Sequence, residues 1–217
     1  MSEFTTSHVV SITPDVRRQA LRYLLLTDGR TIGPYHASSI IACSVTIGCE
    51  VGELLEQQLE HADQIYVAKQ MAMTYLSYAH HTTMEVRNYL KNKQVAQRIS
   101  EEVIEWLRQQ QWVNDEAIGQ YLIQRAKQPG STKSKKMLAS KLMKRGLSNA
   151  SIASVLQNEE YDEFPAAKSL AEKKWNELVR KQLDHPKMRL AGYLSRRGFS
   201  NSTIRKVLNE FNDFASN

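Results

Sequence analysis

The sequence predicts a mainly α-helical protein: three tandem three-helix, helix-turn-helix-like repeats in an elongated curved array, behind a small N-terminal element containing a β-hairpin. Three observations predict it. The chain repeats itself at a spacing of 52 residues, its apolar positions from Ile65 onward recur at helical intervals, and it contains only 9 Gly and 5 Pro in 217 residues. Breakers this sparse leave room for long helices. A content of 41% hydrophobic and 24% charged residues fits an ordinary globular fold and argues against disordered or collagen-like sequence.

The first 35 residues read as strand, because residues 9–12 and 21–26 are short runs of strand formers. Thr27-Asp28-Gly29-Arg30 supplies the hairpin turn, since Asp-Gly accepts the positive φ angles of a tight primed turn. Residues 32–35, carrying Pro34, form a short returning edge strand. From Ser38 the period becomes helical. Ile40, Ile41 and Val45 predict one short helix, and Leu54, Leu55, Gln58 and Leu59 predict a second that bears Glu53, Glu56 and Glu60. This element occupies residues 1–65.

Three repeats follow, at residues 66–113, 114–160 and 161–217. Residues 137–156 and 189–208 are identical at ten of twenty positions: Leu138/Leu190, Ala139/Ala191, Leu142/Leu194, Arg145/Arg197, Gly146/Gly198, Ser148/Ser200, Asn149/Asn201, Ile152/Ile204, Val155/Val207 and Leu156/Leu208. Self-similarity at a fixed period marks a repeat architecture. In the more diverged first repeat, Val86, Leu90, Lys93 and Val95 fall opposite Leu138, Leu142, Arg145 and Leu147.

Each repeat contains three helices. In the first, Ala68, Ala72, Tyr75 and Leu76 form one stripe, Thr82 and Glu85 make a capping box that opens a second helix with Val86 and Leu90, and Ser100 caps a third with Val103, Ile104 and Leu107. In the later repeats Gly146 and Gly198 end the second helix in the left-handed conformation, and Ser148 and Ser200 cap the third. Pro186 suits the first turn of the last repeat's second helix.

Charge is distributed unevenly. Residues 1–65 carry 8 acidic and 4 basic groups, residues 114–160 carry 4 and 8, and residues 161–217 carry 7 and 11, within a total of +6. No acid occurs between Glu116 and Glu159. The candidate binding face is therefore Lys133, Lys136, Lys141, Lys144, Arg145, Lys187, Arg189, Arg196, Arg197, Arg205 and Lys206, which suits a polyanion or an acidic protein surface. The plain alternative is a solvated helix face that keeps the protein soluble. The acid-free stretch favours binding. The acidic N-terminal element is expected to cap the repeat array or to meet a basic surface.

Several function classes are disfavoured. There is no phosphate-cradling Gly-rich loop, nucleophile elbow or His-Glu-x-x-His, so catalysis is not expected. Cys43 and Cys49 fit no zinc spacing with the histidines and read as reduced, partly buried thiols; no metal, cofactor or small-molecule substrate is expected. With no membrane-length apolar run and no signal-peptide pattern, a cytoplasmic monomer is expected. Base reading by a helix-turn-helix is disfavoured, because the uncharged Ala150, Ser151, Ser202 and Thr203 begin the third helices. Most of the Trp and Tyr residues lie at helical spacing and are assigned to cores.

Taken together, the motifs resemble the RecX family, the bacterial regulatory proteins that modulate the RecA recombinase. The matching stretches are Leu76-Ser77-Tyr78 leading through Thr82-Thr83-Met84-Glu85-Val86-Arg87-Asn88-Tyr89-Leu90, and Trp112-Val113-Asn114-Asp115-Glu116-Ala117. A third is Lys144-Arg145-Gly146-Leu147, recurring as Arg196-Arg197-Gly198-Phe199. The likeness covers residues 65–209, and residues 8–64 resemble the N-terminal extension of some members. Departures are Ala79-His80-His81 where arginine is common, Gln111 where glycine is common, and lysines replacing arginines in the second repeat. Lysine cannot form arginine's bidentate fork.

The resemblance implies a protein that binds RecA filaments on DNA, limits their assembly or persistence, and inhibits strand exchange and ATP hydrolysis. The alternative is a basic helical-repeat module that binds single- or double-stranded DNA without a recombinase partner.

Overall fold

The computed structural model describes residues 7–128, 130–182 and 184–211. It is predominantly helical, with a small antiparallel sheet at the N-terminus. Strands β1 (Ser7–Pro14), β2 (Leu21–Leu26), β3 (Thr31–His36) and β4 (Glu50–Val51) lie in the order β3-β2-β1-β4. The β2–β3 turn falls at Asp28-Gly29 as expected, but only Gly29, at φ +83°, is left-handed and residues 27–30 separate the strands, so it is a four-residue loop and not the tight primed turn expected; Pro34 lies on the edge strand β3.

One face of the sheet closes over α1 (Ala37–Ala42) and the start of α2 (Glu53–Tyr78). Val9, Leu24, Leu26, Ile40, Val51 and Leu59 are all buried in this core. Asp63 of α2 fastens the sheet's end to the helix, its Oδ1 accepting from His36 N–H at 2.6 Å and from Ser39 Oγ at 2.8 Å. Cys43 and Cys49 are partly buried free thiols at its edge, and burial pushes the Cys43 thiol up.

Two expectations are corrected here. The helix around Leu54–Leu59 and the first helix of the first repeat are one continuous 26-residue helix, α2, so residue 65 lies within it. No Gly or Pro occurs between Glu53 and Tyr78, and nothing local interrupts the hydrogen-bond ladder. Ser100 does not cap the third helix. That helix, α4 (Gln97–Gln109), begins after Ala96 and encloses Ser100, buried, in its first turn. Gln94 at φ +62° ends α3 (Thr83–Asn92) early enough for α4 to start ahead of the serine.

The remaining helices follow the repeat: α5 (Asp115–Lys127), α6 (Lys135–Lys144) and α7 (Asn149–Asn158), then α8 (Phe164–Arg180), α9 (Pro186–Arg196) and α10 (Asn201–Glu210). Each of these two repeats has its own apolar core, with Leu138 and Leu142 at the centre of one and Leu190 and Leu194 at the centre of the other. Ser148 and Ser200 cap α7 and α10, accepting from Ser151 N–H at 3.0 Å and Thr203 N–H at 3.3 Å. Pro186 is the first residue of α9. Tyr75 and Tyr89 stack at 4.2 Å and Trp175 packs on Phe211, but Tyr78, Tyr121 and Trp112 are exposed.

The chain forms two compact units. One is the chain up to Ala79 together with Val86–Trp112; the other is His80–Glu85 together with the chain from Val113. Among the described residues no helix is long and apolar enough to cross a membrane, and no cluster of His, Cys, Asp and Glu is placed to hold a metal ion.

Candidate functional site

Within the second unit, two seams recur 52 residues apart. In the first, Thr82 Oγ donates to the carbonyl of Arg145 at 2.6 Å; in the second, Ser134 Oγ donates to the carbonyl of Arg197 at 2.8 Å. Thr82 and Ser134 also cap α3 and α6, so one hydroxyl ends one helix and starts another. Gly146 (φ +93°) and Gly198 (φ +82°) lie beside these bonds. They are glycine for two reasons. Both are left-handed, and a Cβ at Gly146 would overlap Met84 while one at Gly198 would meet Lys136 Cβ at 3.2 Å.

Carboxylates complete each seam. At the first, Asp115 accepts from Thr83 N–H at 2.7 Å, and Glu85 holds the Arg145 guanidinium bidentately at 2.8 and 2.7 Å. Arg145 also donates to the carbonyl of His80 at 3.0 Å. At the second, the buried Glu163 accepts from Lys135 N–H at 2.7 Å and Ser200 N–H at 2.9 Å, and Tyr161 Oη donates to the carbonyl of Lys133 at 2.7 Å.

Above the second seam lies a groove of about 480 Å³ between α6 and the end of α9. Lys136, Lys141 and Lys144 form one wall, Arg196 and Arg197 the other, and Met137, Ser140, Ser195 and Gly198 complete it. No acidic residue lines it. Among the described residues none of the five cations is in an ion pair, and Arg197 lies over the Tyr193 ring at 5.1 Å. The summed field of these cations attracts an anionic ligand.

Five of the eleven residues of the sequence-derived basic face therefore meet at one place. Arg145 is elsewhere, engaged by Glu85 and His80. Lys133 is half-buried in the loop before α6, where burial, then the charges of Lys141 and Arg125, push its ammonium pKa down. Lys187 and Arg189 lie in the first turns of α9, with Arg189 donating to the Asp184 carbonyl at 2.8 Å; Arg205 and Lys206 are exposed on α10. Sequence pattern does not single out Ser140, Ser195 or Glu163. Thr82 and Ser134 escaped a test for identities because they differ as residues, although aligning hydroxyls at the 52-residue offset pairs them.

The bidentate Glu85–Arg145 pair, whose side chains are about a quarter exposed, makes a checkable contribution. Burial raises the Glu85 carboxyl pKa, but hydrogen bonds from Arg145 and from Thr82 N–H, with the charges of Arg145 and His81, pull it below its ordinary value. A depressed folded pKa means the stabilisation is complete above the unfolded value and is lost as pH falls through the folded one. Arg145→Ala should cost about 1–2 kcal/mol at neutral pH by urea unfolding, and less in acid.

Domain profiles of one family match twice: that of the first three-helix domain of RecX over residues 68–107, and that of its third three-helix domain over residues 160–208. The regulatory protein RecX of Clostridium acetobutylicum is 31% identical over 166 residues, covering 73% of this chain and 74% of that protein. That of a Geobacillus species is 29% identical over 162 residues, covering 74% of this chain and 59% of its own length. A crystal structure of regulatory protein RecX superposes with a TM-score of 0.79 at 21% identity, covering 94% of this chain and 99% of the other. That of RecX from Lactobacillus salivarius gives 0.63 at 24% identity, covering 70% and 98%. These structures share the fold, and the relatives are named as regulatory proteins.

Proposed function

The chain belongs to the RecX family of regulatory proteins, and from that premise we propose that it binds the RecA recombinase and its filaments on DNA. There it modulates, mainly by inhibition, filament assembly, ATP hydrolysis and strand exchange. It does so by binding, as a cytoplasmic monomer, and not by chemistry.

The observation that carries this reading is the acid-free groove whose cations come from two repeats, Lys136, Lys141 and Lys144 on one side and Arg196 and Arg197 on the other. A site assembled at a repeat junction is suited to a long partner, because a repeat array leaves its outer faces open while each repeat contacts only its neighbours. The second reading, a DNA-binding module without a recombinase partner, draws on the same cations, since phosphates answer to them as well as carboxylates do.

Capture of the recombinase in the absence of DNA separates the two. The immobilised protein should retain recombinase, and Lys141→Glu with Lys144→Glu should lower retention at least tenfold, since each reversal replaces an attraction with a repulsion. If instead it binds only single-stranded DNA, with log affinity falling by about 0.7 per neutralised phosphate for each tenfold rise in salt, the DNA module is the better description.

A further inference from the structure

We propose that the groove between α6 and α9 takes an extended acidic peptide segment with at least one apolar anchor, contributed by a protein partner, in preference to a nucleic-acid backbone. This deepens the reading above and rests on it only for the identity of the partner.

Charge complementarity sets the sign of the ligand. Five cations line the groove without one acid, so whatever enters it is anionic. Three features then favour carboxylates on a peptide over phosphates on a strand. First, Met137 lies in the groove with 43% of its surface exposed, a flexible thioether that fits apolar side chains of varied shape. A phosphodiester backbone leaves that surface without a partner.

Second, none of the lining residues is aromatic, whereas single-strand binding draws its affinity from bases stacked on aromatic rings. Tyr193 carries Arg197 over its face at 5.1 Å and Lys174 at 5.6 Å. Third, several of the backbone amides that could recognise phosphate at the N-termini of these helices already have acceptors within the protein. In the first turn of α6, Lys135 N–H donates to Glu163 and Met137 N–H to Ser134 Oγ; at α7 and α10, Ser148 and Ser200 fill the same role. What remains is a basic groove with one exposed apolar side chain, Met137, in its lining.

The test measures fluorescence anisotropy of a labelled peptide that alternates aspartate or glutamate with leucine. It is run beside the same peptide with serine in place of leucine, and beside labelled oligothymidylate and a short duplex. The leucine peptide should bind at least tenfold tighter than the serine peptide. Lys141→Glu with Lys144→Glu should abolish its binding, and Met137→Ser should weaken it several-fold. Oligothymidylate or duplex that binds tighter than the leucine peptide and competes it off at equal salt overturns the proposal, as does equal affinity for the leucine and serine peptides.

The same variants, assayed for capture of recombinase, keep the two conclusions separate. Peptide binding lost in the variants without any recombinase capture by the wild type supports the groove's ligand class and removes the partner. Recombinase capture that depends on the groove, without peptide binding, overturns the ligand class and leaves the partner standing.

Discussion

Replacing Gly146 with alanine should destabilise the second unit by about 3 kcal/mol. The left-handed backbone at φ +93° costs an L-residue about 1 kcal/mol or more. The new methyl also overlaps Met84 Cβ and stands 2.8 Å from its sulfur, and such overpacking adds roughly 1–3 kcal/mol. Gly198→Ala meets Ser134 Oγ at 3.0 Å and Lys136 Cβ at 3.2 Å, a milder approach, and should cost about 2 kcal/mol. Gly130 is also left-handed, at φ +83°, but nothing lies within 4 Å of its added Cβ, so its alanine variant should lose only about 1 kcal/mol. Urea midpoints should rank Gly146, Gly198, Gly130. If all three cost the same, the close approach of the seams contributes nothing and only backbone conformation matters.

Glu163→Ala should cost about 2 kcal/mol, because it removes a buried carboxylate that accepts two part-buried hydrogen bonds at once, from the N–H groups of Lys135 and Ser200, each of which is worth about 1 kcal/mol or more. Glu163→Gln keeps one good acceptor but turns an NH2 toward a donor, and should fall between alanine and wild type. The pH dependence identifies the interaction. Burial raises the Glu163 carboxyl pKa, yet the hydrogen bonds from Ser200 N–H, Lys135 N–H and the Ser200 and Thr203 side chains outweigh it and leave it below its ordinary value.

The folded pKa is thus the lower one. The stabilisation is fully present above the ordinary carboxylate range and is lost as pH falls through the depressed value. Thermal unfolding of the wild type should weaken across that acidic window, and that of Glu163→Gln should be flatter there. An unchanged acid slope in the glutamine variant would show that Glu163 does not hold the seam.

What sequence reading recovers here is what local pattern encodes. The Asp28-Gly29 turn, the Thr82/Glu85 capping box, the left-handed Gly146 and Gly198 and the Ser148 and Ser200 caps each depend on residues within a few positions of one another, and these are found where the pattern places them, whereas the cap expected of Ser100 is not. The repeat itself is legible because ten identities share one offset.

Contacts at long range are not. Arg145 reads as one cation among many until the fold brings Glu85, 60 residues earlier, against it. Glu163 looks like an ordinary acid at a helix start, and its role depends on Lys135 and Ser200, 28 and 37 residues away. The groove is half legible. Its cations stand out in the sequence, but only packing of α6 beside the end of α9 separates Lys136, Lys141, Lys144, Arg196 and Arg197 from the other basic residues and adds Met137 to them.

That separation also sets which variant to make. Arg145 serves the first seam, so reversing it confounds folding with binding, whereas Lys141, Lys144 and Arg196 are exposed. The most direct measurement is ATP hydrolysis by the cognate recombinase on single-stranded DNA, with this protein added below stoichiometry. The assay is repeated with Lys141, Lys144 and Arg196 changed to glutamate in a variant whose thermal unfolding matches the wild type. Inhibition by the wild type that falls at least tenfold in potency in the variant is the predicted result. Equal inhibition by both would contradict the groove as the site of action, and no inhibition by either at equimolar protein would contradict the recombinase as the partner.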